Sequence, residues 1–214
     1  MSGYFKTGPQ QYAAGDRFLG IRVPAIRKLA RTCHGLSLED FDCLLKSRWH
    51  EERLLALVIL VARHRKSSPE DQKTLCRFYL SRTSSINNWD LVDISAGQIV
   101  GGTLDPNQIG ELERLAHSTC LWERRIAIIS TSFWIKQAIV SPTLHIAGLL
   151  VADPHDLIHK AVGWMLREVG KKDIAALHDF LDRYLVTIPR TMLRYAIERF
   201  PEPLRQHYLQ ARFR

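Results

Sequence analysis

Trp89 and Asp93, in the stretch Ile86-Asn87-Asn88-Trp89-Asp90-Leu91-Val92-Asp93, set an aromatic ring and a carboxylate four residues apart. On a helix such a pair shares one face. An indole face attracts cations through its quadrupole and a carboxylate through its charge, so the pair suits a site where positive charge is held or develops. The same spacing also fits a core tryptophan beside a solvated or capping acid. Other chemistries lack their residues. His34, His50, His64 and His178 have no metal-ligand spacing, and neither a phosphate-cradling Gly-rich loop nor a Ser-His-Asp arrangement stands out. No metal or other cofactor is expected.

The elements that must position this pair are helical. Pro24 opens a segment with apolar residues at helical spacing, and Ser37 is placed to cap the next one, Leu38 to Leu45. Before them, residues 1–23 are punctuated by Gly and Pro and read as irregular. Five later segments share a small apolar position at Ala56, Val92, Ala127, Ala161 and Ala196, spaced by 36, 35, 34 and 35 residues. Each period has room for two helices and their turns, which predicts an all-α, HEAT-like α-solenoid of antiparallel helix pairs forming one domain over residues 1–214. No period-2 alternation bounded by hairpin turns occurs, so almost no sheet is expected.

The chain has 214 residues, 46% of them hydrophobic, enough for a substantial core. Its formal charge of +8 points to a polyanionic partner, nucleic acid ahead of anionic membrane. Cys33, Cys43, Cys76 and Cys120 form no C-x-x-C and read as reduced thiols. The longest apolar run, Leu54 to Ala62, is far below the roughly 20 residues a membrane span needs. The first residues, Met1 to Lys6, hold no apolar signal core, so a cytoplasmic protein off the membrane is expected; a monomer is expected as well.

Two residues before each shared position stand Leu54, Asp90, Arg125, His159 and Arg194. Four of the five are polar, which predicts a stripe facing solvent or a ligand on one helix of each pair. With Arg124 and Lys160 adjacent, the stripe would make a concave basic groove able to follow a phosphate backbone. An ordinary solvated face would look the same.

Three blocks, one repeat apart, resemble the AlkD-like DNA alkylation-repair glycosylases, a HEAT-like repeat family. They are Trp89-Asp90-Leu91-Val92-Asp93, Leu121-Trp122-Glu123-Arg124-Arg125-Ile126-Ala127-Ile128, and Lys160-Ala161-Val162-Gly163-Trp164-Met165-Leu166-Arg167-Glu168. The resemblance runs from about Tyr4 to at least Arg167. It implies that Trp89 and Trp164 are aromatic walls, Asp93 is the catalytic carboxylate and Arg125 binds phosphate, with double-stranded DNA as partner. The implied activity is excision of cationic alkylpurines, 3-methyladenine and 7-methylguanine, without a base-flipping pocket. Because the match starts so close to Met1, the family's leading helices are expected to be missing. Two other readings stay open on the residues alone: a DNA-binding relative with little activity that recognises unusual DNA structure, and a HEAT-like scaffold that binds protein.

Overall fold

The computed structural model describes residues 5–211, so Tyr4, where the family resemblance begins, lies outside the described residues. Two compact units, Met1–Thr103 and Leu104–Arg214, divide the chain. Both are built from helices, and the described residues contain no strand, only an isolated bridge between Arg17 and Trp49.

In the first unit, residues 5–22 form turns and bends, followed by α1 (Val23–Ala30), α2 (Leu38–Leu45), α3 (His50–His64), α4 (Pro69–Leu80) and α5 (Trp89–Ala96). Local chemistry sets the helix starts. Pro24 lies in the first turn of α1, and Ser37 and Asp40 make a capping box at α2. Ser68 accepts from the Asp71 N–H at the start of α4. α3 is the centre of the unit and packs against α1, α2, α4 and α5. Phe41, Leu57, Leu60 and Leu91 are wholly buried around it. The Tyr79 hydroxyl is 2.9 Å from Ser95 Oγ, which in turn donates to the Leu91 carbonyl, so this buried polar pair is satisfied. Beyond Ala96 the helix widens into a π turn, Gly97–Gly101.

The second unit comprises α6 (Gly110–Ala116), α7 (Leu121–Ser130), α8 (Ser132–Ile135), α9 (Ser141–Leu150), α10 (Asp156–Gly170), α11 (Ile174–Tyr184), α12 (Arg190–Ala196) and α13 (Glu202–Ala211). α10 is its axis, packed on α7, α9, α11 and α12. It meets α12 closely: a Cβ built on Gly163 would stand 2.5 Å from both the Met192 carbonyl oxygen and Tyr195 Cβ. Only a residue without a side chain fits there.

The five repeat positions lie on α3, α5, α7, α10 and α12, and none is more than 1% exposed. Small residues recur there because helix packing leaves no room for larger ones. Among the described residues no helix is long and apolar enough to cross a membrane. All four cysteines are free.

Candidate active site

Trp89 and Asp93 stand one turn apart at the start of α5, both half-buried. The start is held from several sides. Asn88, fully buried, accepts from the Trp89 backbone N–H at 2.8 Å and donates its amide to Asp16 at 3.1 Å. Asp16 also accepts from Arg53 Nη2 at 2.7 Å and from the Asn87 amide at 3.4 Å. His50, 2% exposed, sits between two carboxylates, its Nε2 2.8 Å from Asp90 and its Nδ1 3.7 Å from Asp16.

The electrostatics of this cluster follow from burial set against paired charge. Burial disfavours a charged His50, but Asp16 and Asp90 outweigh it, even with Arg53 opposing, and lift its pKa to about 9. Burial likewise works against Asp16, yet His50, Arg53 and Asn88 hold its carboxyl below the usual range. At neutral pH the cluster is therefore ionised and charge-paired.

Residues 5–20 complete the setting. Phe5 stacks on Phe18 with centroids 5.0 Å apart and meets His50 at 5.0 Å and the Trp89 ring at 5.6 Å. Trp89 donates its indole N–H to the Tyr12 hydroxyl at 3.2 Å. The backbone N–H groups of Leu19 and Gly20 donate to the Glu51 carboxylate at 2.9 Å each. The segment expected to be irregular thus lacks regular structure but is firmly attached. Tyr12, Asp16, His50 and Asn88 are site residues that sequence reasoning missed. Their contacts cross tens of residues and leave no local pattern; Asn88 directly before the apolar α5 is the one readable signal, as an N-cap.

The remaining candidates belong to the second unit. Arg125 is 4% exposed and donates Nη1 to the Leu157 carbonyl at 2.6 Å. Arg124 pairs through Nε with Asp153 at 2.6 Å and donates Nη1 to the carbonyls of Ser118 and Thr119. His159 Nε2 lies 2.5 Å from the Asp153 carbonyl oxygen, and Lys160 pairs with Asp156 at 2.7 Å. Trp164 is half-buried on α10, one residue beyond Gly163, and Arg194 is exposed on α12.

The expected outward-facing stripe needs correction here. Of its polar members Arg194 alone is exposed, whereas Arg125 is buried, and Asp90 and His159 are half-buried and turned to protein partners. Position in the repeat predicts the helix face but not the long reach of Arg and His side chains toward neighbouring carbonyls. Trp122 and Trp134 are buried, at 8% and 2% exposure. Among the described residues no group of three His, Cys, Asp or Glu side chains could hold a metal ion.

Three solved structures share the fold. A predicted DNA alkylation repair enzyme from Enterococcus faecalis is 16% identical with a TM-score of 0.68, covering 94% of this chain and 93% of its own. AlkD2 from Streptococcus mutans is 15% identical with a TM-score of 0.64 over 85% and 91%. The smu.31 protein of Streptococcus mutans UA159 is 15% identical with a TM-score of 0.61 over 81% and 89%. At these identities the likeness is one of fold. No curated protein matches the chain significantly. The model of the family described as DNA alkylation repair enzyme matches residues 1–200, and the chain belongs to that family.

Proposed function

We propose that this member of the family is a DNA N-glycosylase that removes cationic alkylpurines such as 3-methyladenine and 7-methylguanine. One observation carries the reading: an indole and a carboxylate one turn apart, on a helix start locked by Asn88, Asp16 and His50. Alkylation leaves the purine positively charged, so it departs without being protonated. As the bond from C1′ to the base breaks, its electron pair neutralises the base and positive charge moves onto the sugar. Asp93 stabilises that oxocarbenium-like state and orients the water whose oxygen bonds to C1′, the released proton passing to the carboxylate or to solvent. The Trp89 face contributes about 0.5–2 kcal/mol toward the same cation.

Preorganisation supports this reading, because a stabilising group acts on rate only when it need not rearrange during the reaction. The Tyr12 hydroxyl and the Phe5 ring limit how the indole turns. In the second unit, Trp164 is proposed as a further aromatic wall and Arg125 as a phosphate ligand, both on the resemblance of their blocks. Arg194, Lys160, Arg124 and His159 are proposed to contact duplex DNA. Such contacts orient the duplex without reporting on the lesion.

The test is release of free base from duplex DNA carrying 7-methylguanine, followed by chromatography. Release by the wild type, with loss on Asp93→Asn, is expected. A folded wild-type protein that binds the duplex but leaves every base in place would reduce the function to DNA binding.

A further inference from the structure

In the first unit a cavity of about 1020 Å³ opens between α1, the turn after it, and the C-terminal half of α3. Its floor is apolar, formed by Leu36, Val58, Val61, Ala62 and Ile94. Around it stand five exposed cations, Arg27, Arg31, Arg63, Arg65 and Lys66, and no Asp or Glu lines it. Among the described residues none of the five makes an ion pair. Two are held in place by neutral acceptors: Arg63 Nη1 donates to the Leu36 carbonyl at 2.8 Å, and Arg65 Nε to the Gln98 side chain at 3.1 Å.

The helix ends do not account for this charge. α1 and α3 both point their C-termini this way, and each carries the equivalent of about −0.5 charge, so together they offset roughly one of the five cations. The rest of the charge has no counterpart among the lining residues.

We infer that this cavity is a docking site for an acidic amphipathic helix of a partner protein, which lays apolar side chains on the floor and carboxylates against the rim. The charge complementarity and the apolar floor together select that occupant. A duplex backbone has phosphates for the rim but nothing apolar for a concave floor. A single strand needs several exposed rings on which successive bases stack; in the lining Phe41 is wholly buried, which leaves the one exposed imidazole of His34. The inference is independent of glycosylase activity, since none of these residues belongs to the proposed site.

The probe is a fluorescein-labelled peptide of about four helical turns with Leu at positions i, i+3, i+4 and i+7 and Glu on the flanking faces. Its controls are a scrambled peptide of the same composition and an unlabelled methylation-free DNA duplex as competitor. Ala62→Glu places a carboxylate on the exposed edge of the floor, and the Arg27→Glu, Lys66→Glu double variant reverses rim charge on two exposed side chains. Circular dichroism verifies the fold of each variant. Saturable anisotropy with the wild type is expected, weakened at least tenfold by scrambling the peptide, by Ala62→Glu and by the double charge reversal. Absence of saturable binding up to roughly 1 mM, equal binding of the scrambled peptide, or variants that bind as the wild type does would each overturn it. So would displacement of the peptide by the duplex together with loss of duplex binding in Ala62→Glu, which would make the cavity a nucleic-acid surface.

Discussion

The charge on His50 should be visible in the stability of the protein as pH rises. Its pKa moves from an ordinary value of 6.5 to about 9 in the folded chain, so the folded state holds a proton that the unfolded state has released. The stabilisation is complete below the unfolded pKa and is lost as pH climbs through the folded one. At about 1.4 kcal/mol per pKa unit the total comes to about 3 kcal/mol. His64 and His155 act elsewhere, because burial pushes both below 6.5 and their contributions change on the acid side. Tyr79 and Tyr208, raised by burial, matter only where unfolded tyrosines ionise, near pH 10. Between pH 6.5 and 9.5, urea unfolding of the wild type and His50→Gln should therefore converge by about 3 kcal/mol. An NMR titration of the His50 ring reads the same pKa directly. Parallel stability curves, or a ring that titrates at its ordinary value, would refute the account of Asp16 and Asp90 as its ion partners.

Three further outcomes are expected. Asp93→Asn should slow base release by about 10²-fold or more while leaving duplex affinity nearly unchanged, because a carboxylate that stabilises a developing cation acts on the transition state; single-turnover release and anisotropy measure the two separately. Arg194→Glu should weaken duplex binding in a salt titration and lower the slope by about 0.9 for each phosphate the protein no longer neutralises, whereas Arg125→Ala should first lower stability by about 1.5–3 kcal/mol through its bond to the Leu157 carbonyl. Gly163→Ala should destabilise the protein by about 1–3 kcal/mol in thermal unfolding, since the new methyl meets backbone rather than a flexible side-chain end.

The repeat was legible because it is a packing constraint that recurs. Ala56, Val92, Ala127, Ala161 and Ala196 all lie where helices pack so closely that a few carbons fill the gap, and such demands appear as a period in the chain. The Ser37 cap was legible for a similar reason, since its partner is three residues away. The pair of Trp89 and Asp93 also needed only local spacing. What escaped is what holds them. Asp16 meets Asn88 across 72 residues and Tyr12 meets Trp89 across 77, separations at which composition and periodicity carry no signal. Arg125 escaped differently: its residue type suggested a surface cation, but its reach allowed it to satisfy the Leu157 carbonyl from within.

The attachment of Asp16 has a consequence for how the first unit comes to be made. A ribosome releases residues 5–20 before their distant partners exist, for from Asp16 the side chain of Arg53 lies 37 residues downstream and that of Asn88 72. The caps of α1 and α2 are local in sequence, but Asp16 can close its network only after the chain has delivered α3 and the start of α5. The earliest part of the unit to be synthesised is therefore the last to lock. Until it does, Phe5 and Phe18 lack the rings of His50 and Trp89 against which they pack in the folded unit.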